Sequence, residues 1–147
     1  MKLEEYKMLI DGSWVESESK KTFETLNPEN NEPWAQVPEA SAKDVDKAVK
    51  AAQKAFDGEW SKLFARERAK YLKAIANQLR ENAEHLGKIE TIDTGKLYKE
   101  TKTQANYIAE YYDYYAGLAD KVEGTVLPID KANMQVITTR VPIGVVA

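Results

Sequence analysis

The chain has 147 residues, 43% of them apolar and 31% charged, with a formal net charge of −3 and no cysteine. That length can bury the core of one domain, and the charge balance gives no electrostatic case for nucleic acid or an anionic membrane. The missing cysteines exclude disulfides, a thiolate metal site and a cysteine nucleophile within these residues, and no apolar run reaches the length of a membrane span.

The opening MKLEEYKMLIDG has no long apolar stretch and no small-residue cleavage site. It does not read as a secretory signal, so the expected location is cytoplasmic. Tyr6, Met8 and Ile10 alternate ahead of Asp11-Gly12, a favoured two-residue turn, and Trp14-Val15 begins the return, so Tyr6 to Val15 reads as a hairpin. Trp14 beside that turn reads as packing, with a ligand contact as the alternative. Lys21 to Asn27 is a second strand, ended by Asn27-Pro28. Pro28 to Pro33 is a turn, and Trp34 to Val37 is a third short strand. Ser41 then caps a helix, with Asp44 three residues on in a variant of the capping box. Val45, Ala48, Val49, Ala52 and Phe56 form its apolar side; Lys43, Asp46, Lys47, Lys50 and Lys54 form its solvated one. Asp57-Gly58 ends it, and Trp60, Leu63 and Phe64 make a short apolar connector.

Arg66 to Arg80 reads as the next helix, with Tyr71, Leu72, Ile75, Ala76 and Leu79 as its buried stripe. Arg66, Arg68, Lys70, Lys73 and Arg80 suggest a basic patch. Glu67 lies among them, however, and Glu81 and Glu84 follow, so they read as an exposed helical face. His85 is the only histidine, and a lone imidazole supports no acid–base or metal role. Leu86, Ile89 and Ile92 fall on one side of a helix that Gly95 stops as a left-handed residue. Tyr107, Ile108, Tyr111, Tyr112, Tyr115 and Leu118 then make a stripe too broad for a free surface helix. Five of the eight tyrosines lie between 107 and 115, so this helix is expected to be packed, with its phenol tips at polar edges.

Thr125 to Ile129 and Met134 to Val141 read as an antiparallel pair about a turn at Asp130 to Asn133. Such a pair is marginal alone and calls for a partner surface. The sequence ends in Pro142-Ile-Gly-Val-Val-Ala147, an apolar run of the kind buried in a parallel sheet. The expectation is a longer protein cut at the entrance to its next unit.

The letters add to the periodicity. Glu90-Thr-Ile-Asp-Thr-Gly-Lys96 and Tyr114-Tyr-Ala-Gly-Leu-Ala-Asp-Lys121 closely resemble the ETLDTGK and YYAGLADK segments of the aldehyde dehydrogenase superfamily, at that family's usual separation. Phe23-Glu-Thr-Leu-Asn-Pro28, Val37-Pro-Glu-Ala-Ser41 and Val141-Pro-Ile-Gly-Val-Val-Ala147 extend the resemblance in the right order, from about Tyr6 onward.

The resemblance implies an α/β fold, the N-terminal part of an aldehyde-dehydrogenase-like architecture. It would hold small antiparallel strands, three to four helices, a strand pair of the oligomerisation region and the first strand of a Rossmann-like cofactor sheet. Residues 1–124 would belong to the coenzyme-binding domain, 125–141 to the strand pair, and 142–147 to the truncated first strand of the dinucleotide-binding sheet. The resembled enzymes are homodimers or homotetramers that oxidise a small-molecule aldehyde to a carboxylic acid with NAD or NADP. In them a Cys attacks the aldehyde, a Glu is the general base and an Asn helps hold the oxyanion, before hydride leaves the thiohemiacetal for the nicotinamide. The positions of that Asn, the Gly-rich cofactor segment, the Glu and the Cys all lie beyond Ala147. No catalytic or cofactor-binding residue is therefore carried over, and the 147-residue chain alone is expected to be inactive.

Two carry-overs do land on this sequence. Many family members hold a monovalent cation, K+ or Na+. The matching positions are Thr25 and Leu26, through backbone oxygens, and Asp93, through its carboxylate. Oxygen-only ligation suits a hard cation; a further ligand would come from downstream, so the site would be incomplete. The alternative is that Asp93 caps a turn. The tyrosine-rich helix matches the wall of the family's substrate tunnel, which places Thr103 and Tyr107, one helical turn apart, on the lining face. The alternative for Tyr107 is plain core. Leu97 departs from the family, where Pro is usual, and this unsettles the start of that helix. Neutral Gln104 and Asn106 give no support for an amine-selective mouth, and the substrate and the choice of NAD or NADP stay open. A rival of a different class is a non-catalytic helical interaction or assembly module. The missing nucleophile and the tyrosine-rich face favour it, and the apolar terminus speaks against it.

Overall fold

The computed structural model describes residues 3–146. Its strands are short and set by local turn chemistry. Asp11 and Gly12 both take positive φ, 51° and 74°, the two-residue turn that the dipeptide favours. They join β2 (Met8–Ile10) to β3 (Ser13–Val15) as the antiparallel hairpin that the alternation predicts. β4 (Thr22–Asn27) and β5 (Glu32–Pro38) pair antiparallel, with a bulge between Thr25 and Leu26 that places Trp34 out of register. β5 starts two residues earlier than the alternation suggests. A strand with no apolar signal, β1 (Glu4–Glu5), joins its far edge in parallel, so the opening sheet runs β1-β5-β4 and is mixed rather than purely antiparallel.

α1 (Ala42–Asp57) begins at the predicted cap. The Asp44 amide donates to Ser41 Oγ, while the Ser41 amide donates to Asp44 Oδ2 at 2.8 Å. The buried Asp44 carboxylate also accepts from the Glu18 amide at 3.2 Å, tying the loop after β3 to the helix start. The expected connector around Trp60 contains instead one helical turn, α2 (Glu59–Lys62), before α3 (Ala65–Glu81), α4 (Ala83–Thr94) and α5 (Tyr98–Leu118). β6 (Val126–Leu127) and β7 (Val136–Ile137) form the predicted antiparallel pair, shortened to two residues each. Residues 142–146 carry no strand, and Ala147, the end of the expected cofactor-sheet strand, lies outside the described residues. Among the described residues, no helix is long and apolar enough to cross a membrane.

The core sits where α5 packs on α3 and α4. Its buried apolar side chains are small: Ala76, Ala83, Ala105, Ala109 and Ala116, with Ala35 in the sheet. This corrects much of the sequence reading of the three helices, although Ala76 of the expected α3 stripe is buried and Leu72 and Leu79 are half-buried. Tyr71 and Ile75 on α3, Leu86 and Ile92 on α4, and Tyr107, Tyr111 and Tyr115 on α5 are exposed, while Ala83 and Gly87 make the buried line of α4. Helix backbones that approach closely leave room only for small side chains between them. A Cβ on Gly87 would stand 2.9 Å from Lys102 Cα.

Candidate functional site

The sequence-predicted residues fall in two places. The first is the seam between β4 and α4. Thr25 Oγ1 donates to Asp93 Oδ1 at 2.8 Å, across 68 residues of sequence. Leu26 follows at the bulge with its side chain exposed. Asp93 sits in the last turn of α4, which Gly95 ends in the left-handed conformation at φ 73°. A Cβ there would also meet Pro28 Cγ at 2.9 Å, so glycine is demanded twice, by the backbone and by its neighbour. Tyr6 lies nearby, stacked edge-to-face on Trp34 at 6.0 Å. Burial first, then the Glu4 carboxylate and, more weakly, Asp93 push its phenol up from the ordinary value. The seam thus gathers one carboxylate and one hydroxyl beside an irregular piece of backbone. Among the described residues, no cluster of three or more His, Cys, Asp or Glu side chains forms. This donor set is oxygen-only, and Thr25 meets Asp93 through its hydroxyl rather than through the backbone oxygen that the resemblance names.

The second place is the outer face of α5. Leu97 precedes the helix at φ −65°, the angle a proline would impose, so the departure from proline leaves the helix start intact. Thr101, fully buried, pins this end. Its Oγ1 lies 2.9 Å from the Gly87 carbonyl, 3.0 Å from that of Tyr98 and 2.9 Å from Thr91 Oγ1. Thr103 and Tyr107 share the solvent side as the spacing predicts, Thr103 donating back to the Lys99 carbonyl at 2.7 Å. Tyr107 stacks edge-to-face on Tyr111 with ring centres 5.0 Å apart and hydroxyls 3.2 Å apart. That hydrogen bond is the main reason the Tyr111 phenol is pushed up. Tyr107, Glu110, Tyr111, Tyr114 and Tyr115 line a concavity of about 370 Å³; Thr103 stands outside it. The sequence reading missed the Tyr107–Tyr111 pairing, although the four-residue spacing carries it. His85 borders an apolar groove with Tyr71, Ile75, Leu79 and Leu86 and has no acidic or metal-binding companion there.

The sequence model of the aldehyde dehydrogenase family matches residues 14–147. The chain belongs to the aldehyde dehydrogenase family. The (Z)-2-((N-methylformamido)methylene)-5-hydroxybutyrolactone dehydrogenase of Acinetobacter baylyi is 44% identical over 99% of this chain. The betaine aldehyde dehydrogenase of Bacillus subtilis is 42% identical over 94% of it. Among solved aldehyde dehydrogenase structures, that of Bacillus cereus superposes with a TM-score of 0.82 at 40% identity over 87% of this chain. The Staphylococcus aureus betaine aldehyde dehydrogenase, solved with NAD+, gives 0.80 at 38% identity over 88%. The chain spans about 30% of the length of the first of these relatives and 26% of each of the two solved chains. The aldehyde dehydrogenase fold is therefore represented here by an N-terminal part.

Proposed function

We propose that this chain is the N-terminal portion of an NAD(P)-dependent oxidoreductase that oxidises an aldehyde to a carboxylic acid through a thiohemiacetal on a cysteine outside these 147 residues. The family match over residues 14–147 carries this reading. Within it, residues 1–124 serve the coenzyme-binding domain and 125–141 the oligomerising strand pair of a homodimer or homotetramer, while 142–147, strandless over 142–146 here, would form the first strand of the dinucleotide-binding sheet once the rest of that sheet is present. The parent enzyme works in the cytoplasm. NAD(P) would supply the hydride acceptor, and no residue of this chain is assigned to hold it. Thr103 and Tyr107 belong to one wall of the substrate tunnel. Thr25, Leu26 and Asp93 belong to a monovalent-cation site, and the support for it is the 2.8 Å contact that brings Thr25 to Asp93.

The purified 147-residue chain, supplied with NAD+ or NADP+ and a panel of aldehydes, is expected to reduce no nicotinamide; turnover by it would overturn the placement of the nucleophile. The coding DNA past Ala147 is expected to stay open and to encode a cysteine. A stop codon there would revive the assembly-module reading, which the family match disfavours.

A further inference from the structure

The charges of α3 do not stand alone. The fold brings the end of α5 and the segment after β7 against them. Arg66, Lys70, Lys73 and Lys121 border a concavity of about 330 Å³ whose floor is Ala69, Ala116, Gly117 and Ala119. A second concavity of about 520 Å³ shares Ala119 and Asp120 with it and adds Arg68 and Arg140. Six cationic side chains thus border these two adjoining concavities with one carboxylate between them, in a chain whose net charge is −3; Lys121 also donates to the Gly117 carbonyl and Arg68 to that of Leu63. Asp120 is already engaged by Lys121 at 2.7 Å and by Arg66 at 3.9 Å. Among the described residues, Lys70, Lys73 and Arg140 have no ion-pair partner, and all three are exposed. A concavity rimmed by one sign of charge concentrates the field and the counter-ion with it.

Arg66, Lys70 and Lys73 lie on one side of α3, and the seven steps from first to last cover about 10 Å at about 1.5 Å per residue. That row is longer than a single phosphate or carboxylate and suits charge spread along a chain of phosphoryl groups. Lysine ammoniums act there as point charges and arginine forks take paired oxygens. The small-residue floor keeps bulky side chains out of the way. We propose that this α3–α5 corner binds an oligophosphate anion, its phosphoryl groups strung along Arg66, Lys70 and Lys73, with Lys121 on the same concavity and Arg140 on the adjoining one.

Titration calorimetry of the full-length protein that carries this chain, with sodium tripolyphosphate, tests the site. Saturable binding is expected at about 10 mM salt, weakening at least about tenfold by about 150 mM as the screening length falls from ~30 Å to ~8 Å. The double variant Lys70→Glu/Lys73→Glu should weaken binding about tenfold or more, and Arg140→Gln, off the helix, should weaken it less. Lys50→Glu/Lys99→Glu makes the same change in net charge elsewhere and should leave it unchanged, with circular dichroism confirming equal helicity in every variant. Adenosine triphosphate separates the sources: equal affinity assigns recognition to the phosphates alone, and tighter binding adds a base on the alanine floor. Absence of saturable binding at low salt, an equal loss in both double variants, or binding of polyglutamate where tripolyphosphate fails would each overturn the proposal.

Discussion

The helix crossing of α4 on α5 and the β6–β7 arm are two ways of holding backbone together. At the crossing, Gly87 and Thr101 let the two helices touch, and a buried hydroxyl joins them. In the arm, two residues pair with two, and one threonine latch does most of the rest. Thr138 donates its amide to the Thr125 carbonyl at 2.8 Å, and the two hydroxyls lie 2.6 Å apart. Val126 and Ile137 beside it stay mostly exposed. The crossing is stabilised by what it excludes, and the arm only by what it bonds. Stability should therefore be concentrated in the first and local in the second.

The sharpest way to break that contrast is Gly87→Ala, whose new methyl would press on the Lys102 backbone at 2.9 Å. Urea unfolding should show a loss of about 1–3 kcal/mol. Gly117→Ala on α5, with nothing within 4 Å, should stabilise by up to about 1 kcal/mol. Equal effects at the two glycines would show that the crossing is not the constraint. Thr101→Val keeps the shape and removes the hydroxyl, and should cost about 1–2 kcal/mol, with Thr101→Ser recovering part of it in the same assay.

A third prediction concerns pH. The Ser41 hydroxyl, then the Ser41 amide, hold Asp44 below the ordinary carboxylate value, with Glu18 and Ser17 helping. A carboxyl depressed in the folded state adds stability above its unfolded value, near 4, and loses it as pH falls through the folded value. Thermal melts of the natural chain and of Asp44→Asn should therefore differ at pH 7 and converge below about pH 4. A constant gap across that range would remove the charge from the explanation. The smallest global effect is expected at Gly124→Ala. Its Cβ would collide with the Thr138 carbonyl and must open the arm. Hydrogen exchange should lose protection at Thr125 and Thr138, while the global unfolding free energy stays within about 0.5 kcal/mol. A larger change would mean that the arm belongs to the same cooperative unit as the crossing.

Local chemistry was the most legible part of the sequence. Asp11-Gly12, Ser41 with Asp44, and Gly95 each act through their own backbone angles or nearest amides, and each does in the fold what its letters specify. The apolar stripes were legible as helices but not as burial. Periodicity finds the residues that would gain from leaving water, whereas close helix approach selects Ala83, Gly87 and Ala109, which carry little hydrophobic signal. β1 was invisible because Glu4-Glu5 joins the sheet through backbone bonds alone. For the candidate site, resemblance supplied Thr25 and Asp93, since no spacing rule links residues 68 apart. Lys121 and Arg140 could be joined to the α3 charges only by the fold, which is why α3 alone read as ordinary surface.

The β4–α4 seam also sets an order of events during synthesis. The helices α3, α4 and α5 follow one another with short links and can pack as they emerge. Thr25 leaves the ribosome long before Asp93. At 5–20 residues per second the 68 residues between them take roughly 3–14 s. For that interval the β1-β5-β4 sheet has made its turns yet has nothing to sit on, and both of its edges stay open to a neighbouring nascent chain. The approach of Pro28 to Gly95, the residue that ends α4, comes only after that interval, so the seat of the N-terminal sheet is completed by a glycine at the helix end.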